Sequence, residues 1–274
     1  MIGAFVIAFR EVIEAGLIIS IVLAATRGIP GRMRWVLLGI AGGLAGAGLV
    51  ALFAEKISDA FEGSGQDILN AAVLIVAVLL LVWHNTWMSK HGKELAGELR
   101  AAGAAVRSGE REAAALSIVI GAAILREGAE LVLFLYGLVA SGTSGADIQF
   151  GAVAGIGAGA LLSAVTYFGL ASIPSRYVFS VTSVLIIFLA AGLAAQAAQF
   201  LANAGVVDIL GHTLWNSSGV IAENSWPGRI LHALVGYTDR PTALQGLVYV
   251  ATIAVMIGLM QWSAADKRRA VRPA

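Results

Sequence analysis

REVIEAGLIIS (residues 10–20) and REGAELVLFLY (residues 126–136) each set an arginine and two glutamates inside an otherwise apolar stretch. With 3.6 residues per turn, the glutamates of one motif lie about 60° apart, and the arginine and second glutamate about 40° apart. Arg10, Glu11 and Glu14 therefore share one arc of a helix, and Arg126, Glu127 and Glu130 share one arc of another. Each motif falls near the middle of its stretch. Burying one such charge in hydrocarbon costs about 2.5–3.5 kcal/mol on insertion scales. Six facing lipid would cost more than about 10 kcal/mol on the same scale, so they must face one another, a polar cavity or a bound cation. Two self-contained Arg–Glu pairs would use one glutamate per motif and leave two carboxylates over. A multivalent cation, or protons, would fill that deficit.

The surrounding chain decides the fold class. Of 274 residues 58% are hydrophobic and 13% charged, about half the charge fraction of a soluble domain. Apolar stretches long enough to cross a bilayer occur at 2–25, 35–54, 67–88, 115–140, 148–171, 177–201 and 243–262. The expected fold is all-α, a polytopic membrane protein of seven transmembrane helices. Basic residues give the orientation. Loops 26–34, 89–114 and 172–176 and the tail carry thirteen lysines and arginines, whereas 55–66, 141–147 and 202–242 carry three, Lys56, Arg229 and Arg240. The positive-inside rule then puts the N-terminus outside and the C-terminus in the cytoplasm, in a multi-pass protein of the cytoplasmic (plasma) membrane. MIGAFVIAFR has no basic region before its apolar stretch and reads as a retained span. A net charge of +1 makes no case for nucleic acid.

The two motifs are 116 residues apart, and at the same offset Gly39 and Gly43 fall on Gly155 and Gly159. Glycines four apart on one helix face allow close helix approach. This divides the chain into repeat one (1–88), a cytoplasmic linker (89–114), repeat two (115–201), an outer loop (202–242), a seventh span (243–262) and a basic tail (263–274). Three spans per repeat is an odd number, so the second enters the membrane from the opposite side. Inverted repeats with a site near the midplane are a transporter architecture.

The buried donors point to a hard cation. Glu11, Glu14, Glu127 and Glu130 are the candidate metal ligands, with Arg10 and Arg126 as supporting charges. There is no cysteine, hence no thiolate ligand and no disulfide. His84 and His91 are expected at or past the cytoplasmic end of the third span, and His212 and His232 in an outer loop. No histidine is then expected on the charged faces, which argues against a zinc site. Ferric iron fits first, then ferrous iron, manganese and magnesium. Glu55, Asp59 and Glu62 could gather cations at the outer entrance, or simply be wet. Gln196, Gln199 and Asn203 form a polar stripe suited to interhelical hydrogen bonding. Within 202–242, Trp215, Trp226 and Tyr237 suit a short interfacial helix. No nucleophile is paired with a base, so the chain is not read as an enzyme. An intramembrane enzyme using paired carboxylates is the rival from another class.

Arg-Glu-x-x-Glu on the first and fourth of seven spans resembles the oxidase-linked iron permease family, the ferrous/ferric iron permeases of fungi and bacteria, whose motif is Arg-Glu-Gly-x-Glu. TWMSKHGKEL (86–95), FLAAGLAAQAAQFL (188–201) and GRILHALVGYTDRPTALQ (228–245) also resemble bacterial members. The second motif fits fully. In the first, Val12 stands where the family favours glycine and fills space beside Glu11. In LWNSS (214–218), Asn216 stands where relatives often show aspartate, so no metal role is carried onto it. The resemblance implies iron as the transported substrate, with no permanently bound cofactor. It also implies a separate iron oxidase or peroxidase as partner, with a periplasmic or extracellular iron-binding protein as a further one. The chain has no copper-type His/Cys cluster and no haem-attachment motif. A permease of the same fold for another heavy or divalent cation is the nearest alternative.

Overall fold

Helix ends fall where the backbone loses its reason to continue. In a computed structural model describing residues 1–60, 66–169 and 175–270, eight α-helices and no strand are formed among the described residues. They are α1 (Ile2–Ala25), α2 (Arg32–Ala60), α3 (Gln66–Ser108), α4 (Ala115–Ala140), α5 (Gly145–Tyr167), α6 (Ser175–Asn203), α7 (Trp226–Val235) and α8 (Ala243–Ala270). Helix α5 begins three residues before the apolar stretch because the Ser144 hydroxyl accepts the Asp147 amide at 3.2 Å, an N-cap. Helix α7, the short helix expected in the outer loop, is capped by Ser225, carries a proline in its first turn and stops at Gly236. Gly236 has φ of 66°, and a methyl group on Gly192 would lie 2.6 Å from its Cα, so both positions exclude side chains.

Among the described residues, five stretches are long and apolar enough to cross a membrane: Arg32–Ala54, Gln66–Met88, Gly145–Tyr167, Ser180–Asn203 and Ala243–Trp262. Helices α1 and α4, of 24 and 26 residues, match these in length but carry three charges each at mid-length. Leu37, Leu44, Phe53, Phe150, Leu161 and Val250 present an apolar outer surface, as a bilayer-embedded bundle requires.

Two apolar cores enclose a charged layer. One gathers Ala4 and Ile7 of α1, Leu74 and Leu81 of α3, and Phe134 and Leu138 of α4. The other gathers Ile18 and Val22 of α1, Leu99 and Val106 of α3, and Ile120 and Ile124 of α4. Along α1 the chain passes the first core, then Arg10–Glu14, then the second; along α4 it meets them in reverse order. The two motif helices therefore run in opposite directions through the same three layers. The second core ends at a basic face that carries the loops after α1 and α3.

Helix α1 lies along α5, and α2 along α4, in contacts close enough to require glycine. A methyl on Gly43 would lie 2.6 Å from Ile124 Cβ and 2.8 Å from the Gly121 carbonyl oxygen; one on Gly155 would lie 2.5 Å from the Phe5 carbonyl oxygen and 3.0 Å from Ala8 Cβ. Gly39 likewise meets Ser117 and Ile120, as Gly151 meets Met1 and Ala4. The residues contacted keep the 116-residue offset (5 to 121, 8 to 124), but the glycines are 112 apart. The sequence pairing of Gly39 and Gly43 with Gly155 and Gly159 is thus one helical turn out. By contact, Gly39 and Gly43 correspond to Gly151 and Gly155, and Gly159 corresponds to Ala47. The motif offset does not carry into α2 and α5, because the chain from contact residue to glycine is four residues longer in repeat one (8 to 43) than in repeat two (124 to 155).

Most of segment 89–114, expected as a cytoplasmic linker, continues α3. Helix α3 runs unbroken for 43 residues, and its end packs under α1, with Leu99 and Val106 buried and Gly103 against Ala25.

Candidate metal centre

The charged layer draws side chains from three helices. Arg10, Glu11 and Glu14 of α1, His84 of α3, and Glu127 and Glu130 of α4 are all buried. Arg10 Nε donates to Glu14 Oε1 at 2.8 Å, and Arg126 Nε donates to Glu130 Oε1 at 3.0 Å with Glu127 Oε1 at 3.9 Å. His84 bridges the motifs. Its Nε2 lies 3.2 Å from Glu14 Oε2, and its Nδ1 forms an ion-pair contact with Glu130 Oε2. Among the described residues, no hydrogen-bond donor reaches either carboxylate oxygen of Glu11, or Oε2 of Glu127. Leaving buried carboxylate oxygens unpaired is costly, so this is where a cation would be most favoured.

One donor atom from each of Glu11, His84, Glu127 and Glu130 lies within 4.8 Å of the others. Donors sharing an ion at about 2.1 Å are at most about 4.2 Å apart, so inward shifts of a few tenths of an ångström close the set. Three carboxylates supply hard oxygen donors. Once His84 gives up a ring proton and one of its carboxylate contacts, its imidazole would add a nitrogen lone pair, which suits iron and other transition metals better than magnesium.

All six motif residues expected from sequence meet here, and the structure changes two expectations. Histidine is present on the charged face: His84 is fully buried between the motifs, not at the end of its span. Counting depth from where the apolar run ends misplaced it, because α3 continues well beyond that point. A signal for it exists in the sequence, since Leu74, Ala77, Leu81 and His84 form one buried stripe at three- and four-residue spacing. Glu14, in turn, is held by Arg10 and His84 and stands outside the four-donor group. For the acidic run at the outer entrance, Glu62 and the side chains of Glu55 and Asp59 lie outside what the structure describes. Gln196 does bond between elements, donating to the Ser141 carbonyl at 3.3 Å and lying 3.2 Å from His232 Nε2. Gln199 instead bonds Asn203 on its own helix. Trp215 and Trp226 are exposed, but the Tyr237 hydroxyl turns inward to the Ile221 carbonyl at 2.8 Å.

Two cavities approach the layer from opposite ends. At the basic face a cavity of about 790 Å³, lined by Ile18, Glu98, Glu110 and Arg111 among others, reaches Arg126 and Glu127. At the other end a cavity of about 1060 Å³ carries Asp147, Glu223, His232 and Asp239. The apolar core of Ile7, Phe134 and Leu138 stands between it and the carboxylates.

Among characterised proteins, the ferrous iron permease EfeU of Yersinia pestis is 30% identical over 254 residues, covering 91% of this chain and 89% of its own. EfeU of Escherichia coli O157:H7 is 28% identical over 253 residues, with 91% of each chain covered. No solved structure matches. The sequence model of the iron permease FTR1 family matches residues 1–265. With that match running through both motifs and nearly the whole chain, this protein belongs to the iron permease FTR1 family.

Proposed function

We propose that the chain imports iron across the cytoplasmic membrane, binding it in mid-membrane between Glu11, His84, Glu127 and Glu130. The observation that carries this is the four-donor group within 4.8 Å, enclosed between two apolar cores. Neither motif helix alone brings enough negative charge to replace the water around a di- or trivalent ion. Arg10 with His84 holds Glu14, and Arg126 with His84 holds Glu130, so an incoming ion displaces Arg126 from Glu130 while Glu11 offers it two unpaired oxygens.

In this reading α1 and α4 also span the membrane, giving seven spans in two inverted three-helix repeats plus α8. Supporting it are the opposite directions of α1 and α4 and the matching contacts of α1 with α5 and α2 with α4. The basic face is cytoplasmic by the positive-inside rule, so iron enters at the Asp147, Glu223 and Asp239 end and leaves past Arg126. Iron is handed over by a separate oxidase or peroxidase, with a periplasmic or extracellular iron-binding protein upstream.

The deciding experiment is iron uptake into proteoliposomes, with Fe(II) or Fe(III), with and without an added oxidase, for wild type, Glu11→Gln and Glu127→Gln. Both variants are expected to insert normally and to lose uptake. Undiminished uptake by both would sink the site. Uptake of Fe(II) unchanged by the oxidase would remove the redox partner from the scheme. Competition by magnesium is expected to be the weakest among divalent ions, because of the imidazole donor.

A further inference from the structure

The two motifs match in sequence, but their arginines sit in different surroundings. The Arg10 side chain is 2% exposed and the Arg126 side chain 30%. Beyond its carboxylates, Arg126 lies over indole rings, its Cζ 4.4 Å from the Trp87 ring centre and 5.9 Å from that of Trp83. These tryptophans are one turn apart on α3, with ring centres 6.4 Å apart. The cavity at the basic face is lined by Arg126 and Glu127 and by none of Arg10, Glu11 and Glu14.

A cation leaving the four donors for this cavity meets a guanidinium of its own sign. A guanidinium fixed there would close the path by repulsion. One with an aromatic face beside it has a second favourable position, because planar arginine stacks on tryptophan and tryptophan is the strongest cation–π partner. We propose that Arg126 is the inner gate of the permeation path and Trp87 the surface along which it moves. With iron bound, the guanidinium gives up Glu127 and Glu130, slides along the indole and opens the way to the cavity. Arg10, enclosed and bonded to Glu14, stays in place. Trp87 is thus a positioning residue that acts through Arg126.

This inference rests on iron binding at the carboxylates, and the experiment separates the two. Iron binding is measured in detergent, and uptake velocity in proteoliposomes, for wild type, Trp87→Phe and Trp87→Leu. The leucine variant is expected to bind iron within about twofold of wild type, while its maximal velocity falls at least about fivefold. Phenylalanine, which keeps an aromatic face, is expected to recover about half of the velocity or more. Leucine transporting at the wild-type rate would overturn the gate. So would binding and velocity falling in proportion, with phenylalanine no better than leucine, since that pattern marks a packing role. If wild type itself binds no iron, the metal site fails, and the gate with it.

Discussion

Val12 is the one departure from the Arg-Glu-Gly-x-Glu pattern, and the structure shows what compensates it. Gly159 of α5 faces Val12; a methyl there would lie 3.0 Å from Val12 Cβ and 2.9 Å from the Phe9 carbonyl oxygen. At the corresponding place between α2 and α4 the sizes are exchanged, with Gly128 facing Ala47 at 2.6 Å from its added methyl. Bulk has moved from one helix to the other. Gly159→Ala alone should force α5 off α1 by about 0.5–1 Å to reach ordinary carbon contact. Overpacking of that kind costs about 1–3 kcal/mol, offset by about 1 kcal/mol of helix propensity. Val12→Gly alone removes three carbons and adds backbone freedom, a loss of about 2–4 kcal/mol. Together they recreate the Gly128–Ala47 arrangement, so the double variant should be about 1–2 kcal/mol more stable than the sum of the single losses. The Phe9 contact remains, so it should still fall short of wild type. Unfolding free energies in detergent give the double-mutant cycle. Effects additive to within about 0.5 kcal/mol would refute the correspondence between the two helix pairs.

Three shorter predictions follow from the same geometry. Glu11→Gln should weaken iron binding more than Glu14→Gln, because Glu11 is in the four-donor group and Glu14 is not; equal losses in a binding titration would contradict this. His84→Leu should lower iron affinity by about tenfold or more, the size of effect expected when a metal site loses a supporting contact or a donor, and should leave Glu14 and Glu130 without their bridge; unaltered affinity would remove the imidazole from the site. Gly236→Ala should destabilise the fold by about 2–4 kcal/mol, adding a left-handed backbone cost to a collision with Gly192, and an unchanged thermal midpoint would count against the close approach of α6 and α7.

What sequence could and could not reveal here divides by range. The motif arcs and the ends of α1 and α4 follow the local apolar periodicity and are where they were expected, although neither helix has a side-chain N-cap bond; the short helix in the outer loop is set by its Ser225 cap. His84 was missed because its position depends on how deep α3 sits relative to α1. Gln66 to His84 is about 27 Å of helix and Ile2 to Glu14 about 18 Å, so counting residues from each helix start puts them in different planes. Only the packing of Leu74, Ala77 and Leu81 brings His84 level with the carboxylates. The four-residue slip in the glycine pairing has a similar origin. A fixed offset ignores the longer chain from contact residue to glycine in repeat one, whereas the contacts follow helix faces. The Arg126–Trp87 stack joins residues 39 apart on different helices, and no local pattern announces it.

Two motifs of one pattern do not make four equivalent glutamates. On α1 the roles divide: Glu14 is held by Arg10 and His84, while among the described residues no donor reaches either oxygen of Glu11. On α4 the same residue must serve twice, since Glu130 belongs to the four-donor group yet accepts from Arg126 at 3.0 Å and contacts His84. In the proposed site, an ion would therefore meet Glu11 without a hydrogen-bond donor to displace, but would compete for Glu130. The competition costs least where the displaced cation has somewhere else to go. Arg126, partly exposed and lying against an indole, has such a place; Arg10, enclosed with Glu14, does not. On the proposed reading, rearrangement on binding is confined to the α4 side, which is also the side the cavity at the basic face reaches. In the proposed scheme a helix pair with matching charges becomes directional because only Arg126 has a second surface to move to.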